Sequence, residues 1–450
     1  MSERHAALNT DLYELTMSAG YFFSKKNTIA TFELFFRNLP DNRQYLVFSG
    51  LKRIVEYLLS LRFTGDEIAY IREHDAFRHI DESFFEYLKK VSFTGTLRSV
   101  PEGTIVFDTE PVIQVTAPII EAQLIETYLL ASVHIETLVA SKAARVVDAA
   151  YPAPVLEFGS RRAHGTEAAV LAARAAYIAG CAGTSNVKAG MEFGIPTYGT
   201  MAHAWVEAFD EESDSFETYH KLFPHKTIFI VDTYDVPAAI EKIIRMGKRI
   251  DGVRIDSGDP LETSRAVRAQ LDSAGLTDIK IFASGNLDEY KIRELVSRSA
   301  PVDGYGVGTQ MVTSADCPSL NVVYKLVQVT EPDGTEKPCF KMSSGKKLYP
   351  GKKQVYRISE GDKFTKDYVC RDTELVPKSG KSLLETYIEH GKPVRDIPRE
   401  SITRQYVMDQ KKQFDAALFD FPSSYKYHVE VSDGLEKEYL ALREKMMADN

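Results

Sequence analysis

From about residue 151 the chain repeats one pattern: a short apolar run, a polar loop containing glycine, then apolar positions at helical spacing. The apolar runs at 155–158, 227–231, 252–255, 279–283 and 302–305 have strand length. Helical periodicity follows the first four at 166–178, 237–246, 260–273 and 288–297. Repeated βα units predict a parallel sheet, open and doubly wound or closed as a barrel, with ligands at the carboxyl ends of the strands.

The flanking regions follow other patterns. IATFELFF (29–36) alternates as a strand does, 51–59 forms an amphipathic helix, and 101–118 has strand-and-turn spacing. Helical periodicity then runs for about eight turns over 119–150. This change predicts a boundary near 120, giving an α+β domain over 1–120 and an α/β domain over 121–330. The remainder, 331–450, follows a strand-like run at 321–329. It carries Lys337, Lys341, Lys346, Lys347, Lys352 and Lys353 among hairpin turns, then helical segments including 435–447. The lysine-rich hairpin (337–366) reads as a solvated surface element, and its Ser343-Ser344-Gly345-Lys346-Lys347 lacks the spacing of a P-loop.

Composition narrows the class. With 450 residues, 44% hydrophobic and 26% charged, the chain can bury a large core, which excludes disordered and mini-protein readings. Its 64 acidic against 55 basic residues leave a net charge of −9, unsuited to a general nucleic-acid surface but compatible with a local basic pocket for a small anion. The four cysteines, at 181, 317, 339 and 370, form no CxxC pair, so neither a disulfide framework nor a structural zinc site is expected, and a cytoplasmic location is. No signal-peptide pattern opens the chain, and no uninterrupted apolar run of about 18 residues predicts a membrane span.

The loops after the strand candidates read Gly-Ser-Arg-Arg (159–162), Asp-Thr-Tyr-Asp (232–235), Asp-Ser-Gly-Asp (256–259), Ser-Gly-Asn (284–286) and Gly-Val-Gly-Thr (306–309). Glycine admits close backbone approach, hydroxyls and amides hydrogen-bond, Arg offers a fork, and Asp holds a hydroxyl or a metal. This inventory suits a phosphorylated sugar with Mg²⁺. Each loop also has a plain structural reading. Asp259 before Pro260 is an ordinary helix cap, Gly183-Thr184-Ser185-Asn186 is a turn after a helix, and His203, like His164, could simply be packed among its neighbours.

Taken in order, TDLYELTM (10–17), FELFFRNLP (32–40), EFGSRRAHG (157–165), GTSNV (183–187), GTMAHAW (199–205), GVRIDSGD (252–259), FASGN (282–286), YGVGT (305–309) and PGKKQVYR (350–357) resemble the nicotinate phosphoribosyltransferase family, a type II phosphoribosyltransferase. The resemblance implies an irregular, incomplete TIM-like α/β barrel with an N-terminal α+β sandwich-like domain. It implies ATP-coupled formation of nicotinate mononucleotide and pyrophosphate from nicotinate and phosphoribosyl pyrophosphate in NAD salvage, with Mg²⁺. It also implies a homodimer with active sites at the interface.

Site roles carry over where motifs match. Tyr13, arriving from the partner subunit, and Phe158 would sandwich the pyridine ring; Arg254 and Thr200 would address the nicotinate carboxylate; Arg161 would contact phosphate. Asp256, with Asp259 nearby, would hold the ribose or its metal. Ser284, Gly285 and Asn286, with Gly306, Gly308 and Thr309, would cradle the nucleotide phosphate. His203 aligns with the family's phosphorylated histidine. Ser185 stands where the related nicotinamide enzyme places an aspartate, which favours the acid over the amide. The competing readings are that nicotinamide enzyme and a phosphosugar-binding barrel lyase, although none of the five loops holds a Schiff-base lysine.

Overall fold

A computed structural model describes residues 5–24, 27–341, 347–375, 377–421 and 425–448. The chain forms two compact units, one of Met1–Thr137, Ser319–Pro398 and Tyr406–Asn450, the other of Leu138–Pro318 and Arg399–Gln405. The positions 120 and 330, where the sequence pattern changes, both lie inside the first unit. Its limit instead falls within the helix Glu126–Ala150, where apolar periodicity continues unbroken and leaves no mark in the sequence.

The first unit is α+β. Ile29–Phe36 lies inside a seven-stranded antiparallel sheet, between Val322–Thr330 and Pro111–Pro118. Every residue of this strand after Ile29 is buried, so both of its faces are covered. Glu33 on this strand is buried and paired at 2.7 Å with Lys353. The Lys353 ammonium also donates to the carbonyls of Tyr349 and Gly351. The solvated hairpin expected from the lysine spacing is therefore corrected at this position: Lys353 is a core residue, and burial lowers its pKa despite Glu33. Lys353–Glu360 pairs with Lys363–Arg371 inside a four-stranded sheet that also takes up Gly380–Ser382 and His428–Val431. Lys346 and Ser343 to Gly345 lie outside the described residues.

The second unit holds the parallel sheet, whose strands are labelled here β1 (Val155–Glu157), β2 (Gly183–Thr184), β3 (Ile228–Ile230), β4 (Gly252–Ile255), β5 (Lys280–Ala283) and β6 (Gly304–Val307). They pair all-parallel in the order β2-β1-β6-β5-β4-β3, a curled half-barrel whose end strands do not meet. Helices Val236–Met246 and Pro260–Ser273 cover β3 and β4, packing Ile240, Ile243, Val267 and Leu271 with Ile230, Val253, Ile255 and Ile281. The loops after β3, β4 and β5 hand the chain to their helices through acidic N-caps: Asp235 accepts from Ala238 N, Asp259 from Leu261 N and Glu262 N, and Asp288 from Lys291 N. The order of strands sends six carboxyl ends to one edge of the sheet, and that edge is where the loops gather.

The stretch Ile119–Ala150 has the length and apolar character of a membrane-crossing helix, a property not expected from the sequence. Its apolar 18-residue window is 67% buried in the protein, and its later part carries buried Lys142 and Arg145, both paired with the buried Glu289. These are the properties of a core helix.

Candidate active site

At the end of β4, Arg254 and Asp256 are two residues apart on one face of the strand, since side chains alternate. The Arg254 Nη1 donates to Asp256 Oδ1 at 2.8 Å and to Ser284 Oγ, at the end of β5, at 3.1 Å. Ser284 Oγ also donates to Asp256 Oδ1. Nη2 donates to the Met201 carbonyl at 3.1 Å, which brings the Thr200–His203 segment to the same place. The Arg254 Nε–H is buried without a hydrogen-bond partner among the described residues. Burial lowers the guanidinium pKa, opposed by Asp256 and Asp232 and reinforced by the like charge of Arg161. An arginine keeps its charge under such a shift. The cluster therefore presents a desolvated cation with the Nε–Nη2 edge, the one that grips a carboxylate in bidentate fashion, incompletely used.

The other oxygen of Asp256, Oδ2, lies 3.8 Å from His203 Nε2. On the far side of the ring, Nδ1 is 3.1 Å from Thr233 Oγ1, in the loop after β3. The neighbouring Asp232 accepts from Asp256 N at 3.0 Å and Ser257 Oγ at 2.5 Å, while its Oδ1 is buried and unpartnered among the described residues. Asp232 and Thr233 thus fix Asp256 and His203 from an adjacent strand. Both stand in a loop that the sequence marks as chemically unusual, but no spacing rule shows that their side chains reach the next strand's loop. His203 itself opens the helix His203–Glu207 and is partly exposed.

Glycines make these approaches possible. Gly285 has φ +88°, and a β-carbon there would lie 1.9 Å from the Asp256 carbonyl oxygen. At Gly306 a β-carbon would meet the Phe158 ring at 2.6 Å and Ser284 Cβ at 3.2 Å. The strand expected at 302–305 instead runs Gly304–Val307, so Gly306 lies within β6 and provides space for Phe158, leaving Gly308 and Thr309 beyond the strand end.

Around β1 and β2, buried Glu157 accepts from Gly159 N and Thr184 Oγ1. Its pKa is raised by burial against those two hydrogen bonds. Gly183-Thr184, expected as a turn, is a two-residue strand paired with β1; it is too short for any periodicity to show. Ser185 is exposed, with its N–H on the Glu157 carbonyl, and Asn186 caps the helix Val187–Phe193 while donating to Ser160 Oγ at 3.1 Å.

The structure thus gathers Phe158, Arg161, Thr200, His203, Arg254, Asp256, Ser284, Gly285 and Gly306 around one set of strand ends. Asp259 is spent as a helix cap. Asn286 adopts a left-handed φ of 49° and its carbonyl accepts from Lys291 Nζ. Thr309 opens a single helical turn. Tyr13 belongs to the other unit, on the helix Leu12–Phe23, with its ring exposed.

A parallel half-barrel whose strand-end loops join a desolvated arginine, carboxylates, a histidine and glycine-relieved turns defines an α/β barrel enzyme acting on a small anionic substrate. The model of the nicotinate phosphoribosyltransferase (NAPRTase) N-terminal domain matches residues 8–134, and that of the nicotinate phosphoribosyltransferase (NAPRTase) family matches 154–372. The chain is 44% identical to nicotinate phosphoribosyltransferase pncB2 of Mycobacterium tuberculosis over 445 residues, covering 97% of this chain and 94% of that protein. It is 45% identical to the nicotinate phosphoribosyltransferase of Bacillus subtilis over 377 residues, covering 79% and 75%. The crystal structure of human nicotinic acid phosphoribosyltransferase superposes with a TM-score of 0.82 at 26% identity, covering 96% of this chain and 99% of that one. The chain belongs to the nicotinate phosphoribosyltransferase family.

Proposed function

We propose that the protein joins nicotinate to 5-phosphoribosyl 1-pyrophosphate, releasing nicotinate mononucleotide and pyrophosphate, the salvage step toward NAD, and that ATP hydrolysis drives it through His203. The observation that carries this reading is Arg254, buried and tied to Asp256 and Ser284, with its Nε–H unpartnered among the described residues. That edge suits the nicotinate carboxylate, with Thr200 beside it and the pyridine ring between Phe158 and a partner subunit's copy of Tyr13. Ser185 leaves a hydroxyl where a carboxylate would repel the acid. This favours nicotinate over nicotinamide.

In the reaction the pyridine nitrogen attacks the anomeric carbon. The C–N bond forms as the C–O bond to pyrophosphate breaks with its electron pair leaving on the pyrophosphate. No proton moves, so no general base is needed, and the protein's part is positioning and charge stabilisation. Asp256 would hold the ribose hydroxyls, and Ser284 to Asn286 with Gly308 and Thr309 the 5′-phosphate. No group of three or more possible metal ligands occurs among the described residues. Asp256 and Asp232, whose Oδ1 is buried and unpartnered among the described residues, would suit Mg²⁺, which is commonly held by one or two carboxylates and substrate phosphates. Bound there, the ion would neutralise charge on the departing pyrophosphate. His203 would take the γ-phosphoryl group of ATP, a P–N bond forming as the P–O bond to ADP breaks, and water would later release phosphate.

The test is pyrophosphate release by purified protein with Mg²⁺ and phosphoribosyl pyrophosphate, offering nicotinate, nicotinamide or quinolinate with and without ATP. Release with nicotinate, increased by ATP, is expected. Equal kcat/KM for nicotinate and nicotinamide would overturn the substrate assignment.

A further inference from the structure

Lys142 and Arg145 stand one turn apart on the same face of the helix Glu126–Ala150, and both are buried. The Lys142 ammonium lies 2.5 Å from Glu289 Oε2 and 2.8 Å from Asp316 Oδ1. Arg145 Nε donates to the other oxygen of Glu289, Oε1, at 3.0 Å, and its Nη2 donates to the Tyr290 hydroxyl at 3.2 Å. Glu289 is fully buried, whereas the Asp316 side chain is 23% exposed. The two carboxylates come from different strand-end segments. Glu289 opens the helix Glu289–Ser297, just beyond Asn286 in the loop after β5. The same helix reaches back to that loop through Lys291 Nζ, which donates to the Asn286 carbonyl at 2.8 Å. Asp316 follows the helical turn Thr309–Val312 at the end of β6. Backbone hydrogen bonds from Val312 N to the Gly308 carbonyl, Thr313 N to Thr309 and Ala315 N to Gln310 join that turn and the segment leading to Asp316 into one piece.

We propose that Lys142 is a positioning residue for the 5′-phosphate subsite: its ammonium holds Glu289 and Asp316 together and so sets the distance between the loop Ser284–Asn286 and the turn at Gly308 and Thr309. This rests on the reading above that these two loops cradle the phosphate. Phosphate oxygens point in several directions and take donors from more than one side, so two loops that share the group must stand at a fixed separation. The ladder between β5 and β6 fixes that separation only as far as Phe282 with Gly304 and Ala283 with Tyr305. Both loops lie beyond those pairs, and the Lys142 bridge restores the tie past them. Its charge matters to this role. An ammonium between two carboxylates has a defined geometry at both ends, whereas an apolar side chain of similar volume would fill the space and let the two segments slide. The cluster has two cations and two anions, and it can lose Lys142 without leaving a buried charge alone: Glu289 keeps Arg145, and Asp316 reaches water. Stability therefore does not depend on the Lys142 charge, since buried ion pairs are readily replaced by well-packed apolar groups. What the charge adds is the relative placement of the two loops.

The experiment measures the KM for phosphoribosyl pyrophosphate and for nicotinate, and product inhibition by nicotinate mononucleotide and by pyrophosphate. It compares the full-length protein with Lys142→Met, Asp316→Asn and Thr309→Asp, with thermal melts of each. Nicotinate mononucleotide carries the 5′-phosphate and pyrophosphate does not, so the two products separate this subsite from the rest of the site. Lys142→Met and Asp316→Asn should raise the KM for phosphoribosyl pyrophosphate and the inhibition constant of nicotinate mononucleotide about tenfold, the scale of one weakened hydrogen bond to a charged group. The KM for nicotinate and inhibition by pyrophosphate should stay at their wild-type values. A purely structural ion pair would shift all four constants together or none of them, and that outcome overturns the proposal. Asp316→Asn, at a partly exposed position, carries the test if Lys142→Met melts too low to assay. In Thr309→Asp a carboxylate stands where the phosphate is bound and must repel it. If that variant binds nicotinate mononucleotide as the wild type does, the phosphate lies elsewhere and the underlying reading fails instead.

Discussion

Gly285 and Asp256 meet so closely that a β-carbon on the glycine would lie 1.9 Å from the aspartate's carbonyl oxygen. The two belong to adjacent strand-end loops, and Asp256 is the residue on which Arg254, Ser284 and His203 converge. The glycine is also at φ +88°, where any other side chain is strained. Gly285→Ala should therefore move the Asp256 backbone and the carboxylate with it. Misplacement on this scale costs on the order of 10²-fold in rate, so kcat/KM should fall by about that factor, while the melting temperature drops by only a few degrees. Wild-type kinetics in a folded Gly285→Ala protein would show that the position of Asp256 is not critical.

His203 is held by Thr233 on one ring nitrogen and faces Asp256 with the other. If it carries the phosphoryl group and takes no part in glycosidic bond formation, His203→Ala should lose ATP stimulation and retain the ATP-independent rate. The readouts are pyrophosphate release with and without ATP, and acid-labile labelling by γ-labelled ATP. A variant that remains ATP-stimulated and is still labelled would place the phosphoryl acceptor elsewhere.

Arg254→Lys keeps the charge but removes the planar fork that reaches Asp256, Ser284 and the Met201 carbonyl together. A buried charge pair of this kind contributes about 2–5 kcal/mol when one partner is truncated. The expected loss in kcat/KM for nicotinate is therefore at least about 30-fold. Turnover of nicotinamide, where measurable, should fall much less, because the amide lacks the charge that Arg254 recognises. A parallel loss with both substrates would mean that Arg254 serves only to hold Asp256.

The parallel unit was largely legible because β3 and β4 carry β-branched residues next to glycine or aspartate and the helices after β3, β4 and β5 start at an aspartate cap. Gly252–Ile255, Thr166–Ile178 and Pro260–Ser273 begin and end where the periodicity does. Arg254, Asp256 and Ser284 stand out because they sit at strand ends. Asp232 and Thr233 were harder to recognise, since they act on residues some 20 to 30 positions away through strand pairing that no local pattern encodes. Lys353 was misread because a charged residue in a polar stretch looks solvated until its partner Glu33, more than 300 positions earlier, is known. Asp259 illustrates the opposite ambiguity: cap and ligand need the same side chain, and the structure shows it capping.

Glu14 offers a prediction about stability that does not depend on the reaction. Burial holds its pKa at about 7 in the folded chain, above the ordinary 4.5. The folded state therefore binds this proton more tightly than the unfolded state does. The resulting stabilisation is fully present below pH 4.5 and is lost as pH rises through 7. Its full size is on the order of 3 kcal/mol. Glu121, Glu126 and Glu157 are also raised by burial and tilt the curve the same way, so the informative quantity is the difference between wild type and Glu14→Gln. The variant cannot lose this proton; its amide oxygen can still accept from Thr127, while its NH2, a donor only, requires the Thr10 hydroxyl to turn and accept. Urea unfolding midpoints at pH 6 and pH 8 should show the wild type losing more stability over that interval than the variant. Glu14→Gln should also be the more stable of the two at pH 8. Parallel pH profiles for the two proteins would mean that Glu14 ionises in the folded chain as it does in water, and that its burial is not felt as charge.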